Sequence, residues 1–495
     1  MSSARASRAS QANHRYRGDG AQTMIDRASR NLLGLACAAG ILATSSLAAA
    51  NGRYPGADEL LVAPNDPRTF VVHGSFGLFV SKDAGGKWQW VCDEVIEPTL
   101  AADSVSPSIA IFESGAIAVS TLAGVRTSTD GGCTFVSAPG TEGLRVRDIA
   151  KERGGTRAVA ITAPADGSPA EVLETTDDGV SWHKLGVPLP LELIPQNIDL
   201  AKGHASRLYV SGTALFSYDE AGLVEAGIPA NRVGVMYASD DSGQTWTRTL
   251  VPEAVSIASD VYISAVDPAN PDIVYARSSF QVTPTSRDAV LLVSRDAAKT
   301  YEVAFRAPRA AMPGFALSAD GSQVSLAVIS GAESDGVWVA PRDTMRFEKR
   351  SPDVLACLKW HGDTMFACQN LYTPSCNPTC PYVIATSKNE ARTWDPLLVS
   401  LSDVEGPLSC PSNTPYASTC ALNWENNWKC KLEGCDAGVS GGDAGTPSAP
   451  PAAGGTDGCS CGVLGGKGTA LSLGAIVSAL GLTTLVARRR RGRSR

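Results

Sequence analysis

The feature that most constrains this chain is a short box that recurs along it. Its first copy is Ser81-Lys82-Asp83-Ala84-Gly85-Gly86-Lys87-Trp88, close to the form Ser/Thr-x-Asp-x-Gly-x-Thr/Ser-aromatic. Close copies run from Ser128 to Phe135, Thr175 to Trp182 and Ser239 to Trp246. Looser ones run from Ser294 to Tyr301 and Ser387 to Trp394, and a barely recognisable one, supported by Trp338 and Phe347, from Ala340 to Phe347. The copies start at 81, 128, 175, 239, 294, 340 and 387, so the intervals are 47, 47, 64, 55, 46 and 47. A period of this length marks one supersecondary unit per repeat, stacked on its neighbours.

Between boxes the sequence reads as four short strands. Glu59 to Val62, Thr69 to Val72, Gly77 to Val80 and Trp88 to Val91 are apolar runs, separated by Pro64-Asn65-Asp66-Pro67 and by the box itself. Short apolar runs bounded by Pro, Asn, Asp and Gly are strand signals. Four strands per repeat match a propeller blade, so seven repeats predict an all-β, seven-bladed β-propeller over residues 51–400. The box falls between the third and fourth strands. Its pattern is carried by Ser81, Asp83, Gly85 and Trp88; Ser128, Asp130, Gly132 and Phe135; Thr175, Asp177, Gly179 and Trp182; and Ser239, Asp241, Gly243 and Trp246. Carboxylate and hydroxyl accept from turn amides, glycine allows a left-handed backbone, and the aromatic fills space between sheets. These are folding roles, and any ligand chemistry is expected at the opposite ends of the strands. The two long intervals contain extra loop, Gly212 to Asn231 and Gln281 to Arg287, of the kind that carries binding on rigid scaffolds.

The ends of the chain read as addresses. Residues 1–50 form a polar leader, with Met24 as an alternative start, followed by Arg27, Arg30, an apolar run and Ala48-Ala49-Ala50. That is a secretory signal cut near Ala50. Residues 401–435 are a Cys-rich extension of the propeller, and 436–458 a flexible Gly/Ala/Pro linker. Residues 459–495 hold Cys459 and Cys461, an apolar stretch long enough to span a bilayer, and an Arg-rich end that stays on the cytoplasmic side. The expected location is therefore exported: cell surface, outer membrane or secreted, with anchoring before processing.

Ten of the 13 cysteines lie in the folded part, which in an exported chain reads as disulfides. A two-residue loop at Gly362-Asp363 would set Cys357 opposite Cys368. The other expected pairs are Cys376–Cys380, Cys410–Cys420, Cys430–Cys435 and Cys92–Cys133. The net charge of −7 argues against a nucleic-acid partner. His14, His73, His183, His204 and His361 show no metal spacing, and no phosphate loop or nucleophile elbow is present. No catalytic, metal or cofactor residue is assigned. Asp58, Glu59, Asp103, Asp148, Asp199, Asp260 and Asp353 fall near repeat starts, where inner strands begin. Their expected role is turn and strand entry, though one or two could face the central channel.

The box resembles the BNR or Asp-box motif of sialidases, sortilin-type receptors and photosystem II assembly propellers. More narrowly, Asn51-Gly52-Arg53-Tyr54-Pro55, Phe76 to Ser81, Trp88 to Cys92, the box with internal Cys133, and Gly406 to Cys410 resemble a myxobacterial group of exported Asp-box proteins. The ordered Cys motif, single span and Arg cluster resemble a MYXO-CTERM sorting tail, which implies processing by a C-terminal sorting protease. Sialidase resemblance implies three arginines that hold a substrate carboxylate. This chain departs from it: Arg53-Tyr54-Pro55 lacks the preceding aromatic and the isoleucine, and seven units replace six. Seven-bladed Asp-box propellers also occur among glucan-cleaving enzymes, which implies a glycoside hydrolase as the alternative to a binding or scaffolding module. The partner is expected to be a glycan, peptide or protein, with the membrane engaged through the C-terminal helix.

Overall fold

Seven four-stranded antiparallel sheets follow one another along the chain, each an uninterrupted meander of four consecutive strands. The structure is a computed structural model. It describes residues 57–424 except 76, 99, 101–105, 216–231, 252–260, 284–285 and 370–380. The 28 strands among the described residues are numbered in chain order, four per blade. The first strand of each blade is innermost: β1 (Ala57–Val62), β5 (Ile109–Ile111), β9 (Val146–Lys151), β13 (Leu193–Leu200), β17 (Val261–Val266), β21 (Ala311–Leu317) and β25 (Leu355–His361). β1 packs against β25, so blade seven meets blade one and the ring closes. Each blade turns apolar faces to both neighbours. The second strands therefore read as unbroken buried runs, as in Phe70–Gly74 and Ala158–Thr162. The box aromatics fill gaps at the rim. Trp88 is buried, stacks on Phe70 and donates to the Leu397 carbonyl of blade seven at 3.2 Å.

The boxes share one hydrogen-bond clip. In the first, Ser81 Oγ donates to Asp83 Oδ1 at 3.0 Å and accepts from Gly85 N at 2.9 Å, while Lys87 N donates to Asp83 at 2.9 Å. The copies at Ser128, Thr175, Ser239, Ser294 and Ser387 repeat it. The clip needs two successive left-handed residues. Gly179, for example, has φ of 78°, and a Cβ there would sit 2.9 Å from Phe112. The copy at Ala340 has lost the clip, and a backbone turn from Met345 N to Pro341 O at 2.9 Å replaces it.

Both long intervals lengthen the hairpin between second and third strands. In blade four this joins β14 (Leu208–Leu215) to β15 (Arg232–Ser239). In blade five it joins β18 (Val274–Thr283) to β19 (Ser286–Ser294).

Past blade seven the chain returns to blade one. A 3-10 turn at Leu401–Asp403 is capped by Ser400 and Asp403. Residues 405–408 then lie parallel to β4 (Gln89–Val91): Glu405 N donates to Trp88 O, Trp90 N to Gly406 O and Leu408 N to Trp90 O, at 2.8–2.9 Å. This strap covers the outer edge of blade one, an edge otherwise open to strand pairing. The helix α2 (Pro415–Asn423) follows and packs on α1 (Asp93–Ile96). Tyr416 OH bonds Trp90 O and Leu408 N, tying strap and strand together.

Two disulfides lock this arrangement, and they correct the expected pairing. Cys92 bonds Cys420 and Cys133 bonds Cys410, so neither Cys92–Cys133 nor Cys410–Cys420 forms. The reason is the strap: it brings Cys410 and Cys420 across blades one and two, which pairing by sequence proximity overlooks. Cys357 does bond Cys368, across a hairpin whose register runs to His361 opposite Thr364. Cys376, Cys380, Cys430, Cys435, Cys459, Cys461, Ala50 and the C-terminal apolar stretch lie outside the described residues. Among the described residues no helix is long and apolar enough to cross a membrane.

Candidate functional site

Successive turns of a four-strand meander alternate between its two ends. The turn after each first strand therefore lies on the same face of the ring as the box. That face carries a cavity of about 540 Å³ at the central axis. It is lined by the ends of inner strands and the turns that follow them: Glu59 and Leu61 from β1, Asp148 and Lys151 from β9, Arg153 from the next turn, and Lys359 to Gly362 at the end of β25. This cavity therefore opens on the box face, whereas the sequence alone points to the opposite ends of the strands for ligand chemistry. Boxes occupy the rim and the cavity the axis, but both open on one face.

The inner carboxylates divide into two kinds. Asp148 Oδ2 accepts from Ile198 N of blade four at 3.0 Å. Asp199 accepts from Leu200 N at 2.7 Å and from Val266 N of blade five at 3.1 Å. Beside it Asn197 exchanges two bonds with Ile263, and Ser108 Oγ links blade two to Ile149 of blade three. These side chains stitch adjacent inner strands, whose facing edges lack a ladder of their own. Burial raises the Asp199 carboxyl to about 6 against its two amide bonds, and raises Asp148 as well.

Glu59 is the other kind. It makes no hydrogen bond or ion pair among the described residues, and the same holds for Lys359 and Arg153. Burial raises the Glu59 carboxyl to about 7, opposed by the Lys359 ammonium and reinforced by Asp148. Lys359 is exposed, yet the protein around it desolvates the ammonium, and that pushes its pKa down. Burial also lowers His361, with the Lys359 charge adding to the effect. Lys151 pairs with Glu113 at 3.5 Å, and Trp360 is fixed by donation to Ser325 Oγ at 3.1 Å. The pocket thus offers an uncommitted acid, two uncommitted cations and an imidazole.

Of the carboxylates singled out by position, the structure places Glu59 and Asp148 in the pocket wall and Asp199 within reach of Asp148 and Arg153. Asp58 is engaged elsewhere, and Asp353 accepts from the box Trp394 at 3.1 Å. Asp103 and Asp260 lie outside the described residues. Lys359, Arg153 and His361 carried no motif. Their signal was positional: each ends an inner strand or sits in the turn beyond it. No group of His, Cys, Asp and Glu among the described residues could hold a metal ion.

Fold and pocket together define a seven-bladed propeller with a mixed-charge axial site. No known protein-family profile matches the chain, and no curated protein does. Among solved structures, an ancestral GH74 enzyme is similar at 15% identity and TM-score 0.43, covering 70% of this chain and 49% of that enzyme. This chain therefore spans about half that enzyme's length. The GH74 xyloglucanase from Xanthomonas campestris is similar at 15% identity and TM-score 0.33, covering 69% and 64%. YCF48 from Cyanidioschyzon merolae is similar at 10% identity and TM-score 0.36, covering 70% and 87%. Likeness at this level says nothing of ligand or reaction, and the architecture rests on the strand pairing itself.

Proposed function

We propose that the chain is an exported, surface-anchored Asp-box propeller that binds a polar ligand, a glycan, peptide or protein segment, in its axial pocket. The observation that carries this reading is the commitment of Asp148 and Asp199 to backbone amides of the next blade. Hydrolysis of a glycoside by the usual route needs two carboxylates flanking the bond, one acid and one base or nucleophile. Here the other carboxylates of the pocket wall are engaged, Asp148 with the Ile198 amide, Glu113 with Lys151 at 3.5 Å and Glu152 with Arg157 at 4.0 Å. Among the described pocket carboxylates Glu59 alone lacks a partner, and Lys359 is the cation that acts on it. Opposed charges in one cavity suit recognition of a ligand with both donors and acceptors. Three disulfides suit an oxidising compartment, and the signal segment and Cys motif support display at the surface.

A glycoside hydrolase is the second reading, favoured by one feature: a Glu59 carboxyl held near 7 is protonated often enough to serve as an acid. Incubation with a panel of β-glucans and acidic polysaccharides separates the two. Binding without release of reducing ends supports the module. Turnover that disappears in Glu59→Gln supports the hydrolase and overturns the first reading.

A further inference from the structure

On the opposite face, where blades five and six meet, Arg277, Arg287, Arg306 and Arg309 gather in a chain whose net charge is −7. The long hairpin of β18 and β19 brings Arg277 and Arg287 to a hollow of about 450 Å³ walled by Ala289, Ala310, Ala311 and Met312. Arg309 borders the adjoining recess with Arg287, its backbone left-handed at φ 49°. Asp288 is already used: it accepts from Arg306 Nε at 2.9 Å and from the Arg309 amide at 3.0 Å. Among the described residues no carboxylate pairs with the side chains of Arg277, Arg287 or Arg309.

Arg277 is the unusual member. Its Nη1 donates to the Met312 and Pro313 carbonyls at 2.8 and 2.6 Å, and its Nε is buried without a partner. Burial lowers its pKa to about 10, so it keeps its charge at neutral pH. A neutral donor could make the same two bonds. Arg277 is half-buried with its Nε fully enclosed, and a partly desolvated cation without a carboxylate beside it is favoured by an anion that completes it.

We infer that this hollow binds an oxyanion, a carboxylate or sulfate, carried on a body with one apolar side, with Arg277 in its wall and Arg287 and Arg309 at its rim. Planar guanidinium groups match such anions with paired hydrogen bonds, and the alanines and Met312 take the apolar side. The site is separate from the axial pocket and does not depend on it.

Titration calorimetry on the full chain, kept oxidised, tests this with inorganic sulfate, glucuronate and N-acetylleucine, beside uncharged methyl glucoside and N-acetylleucinamide. Glucuronate or N-acetylleucine is expected to bind more tightly than sulfate, and the better of the two tells a sugar carrier from a peptide one. Arg287→Gln and Arg309→Gln, both exposed and unpaired, are expected to fold normally and weaken that binding tenfold or more. Arg295→Gln, a surface arginine elsewhere in blade five, should leave it unchanged. Equal binding by wild type and the two rim variants, equal binding of the uncharged counterparts, or no anion binding by the folded protein would overturn the inference.

Discussion

Cys92, just past the outer strand of blade one, is bonded to Cys420 in α2 with their Cα atoms 5.4 Å apart, although 328 residues separate them. Together with Cys133–Cys410 this bond pins the strap across the junction where the ring closes. Chain ends are where a propeller opens most readily, because no covalent continuity joins its last blade to its first.

The strap bonds are therefore expected to contribute strongly to stability. Replacing Cys92 and Cys420 together by serine should lower the unfolding free energy by about 2–4 kcal/mol, the usual cost of losing a long-loop disulfide. Urea denaturation under non-reducing conditions measures it. Unchanged stability would mean that the strap docks without needing the bond.

The box clip is expected to work as a turn fastener. Asp241 is held down to about 2 by the Thr245 hydroxyl and amide and by Ser239. A depressed carboxyl stabilises the fold above its unfolded value of about 4, and that stability is lost as pH falls toward 2. Asp241→Ala should lower Tm at neutral pH. Asp241→Asn should keep most of it, because Asn389 already fastens its own box by accepting from Thr393 N at 3.0 Å. The Asn variant should also show a shallower loss of stability between pH 4 and pH 2.

Gly179→Ala should be among the more damaging single changes at the rim. The new methyl would meet a Phe112 ring carbon at 2.9 Å and the Ala118 methyl at 3.3 Å, on a left-handed backbone. Strain and overpacking together predict a loss of about 2–4 kcal/mol, read from the midpoint of chemical unfolding.

How much of this was legible beforehand differs by scale. Box spacing alone gives seven blades, and the two-residue loop at Gly362-Asp363 gives the Cys357–Cys368 pair, because both depend on local geometry. The pairing of Cys92, Cys133, Cys410 and Cys420 depends on where the chain goes after its last blade, and no local pattern states that. The axial pocket was half legible. Repeat starts pointed to Glu59, Asp148 and Asp199, but the stitching of Asp148 and Asp199 to the next blade is a contact between strands distant in sequence. Lys359 and Arg153 look like ordinary surface charges until the ring closes around them.

Glu59 provides a pH test of the pocket. A carboxyl raised to about 7 by burial contributes stability that is complete below its unfolded value of about 4.5 and lost as pH rises through 7. Glu59→Gln should remove that slope. At pH 8 the variant should be more stable than wild type by about 1–2 kcal/mol, below the full value of about 1.4 kcal/mol per pKa unit because Glu59 is only half-buried and solvent screens it. At pH 4.5 the two should match.

The most direct measurement of the central claim is binding by wild type and Lys359→Met, compared on one array of glycans and peptides. Lys359 lines the axial pocket, makes no hydrogen bond or ion pair among the described residues, and is exposed. Its loss should leave the fold intact and weaken binding of the wild-type ligand by tenfold or more. A Lys359→Met protein that folds normally and binds the same ligand with unchanged affinity would contradict the axial pocket as the binding site.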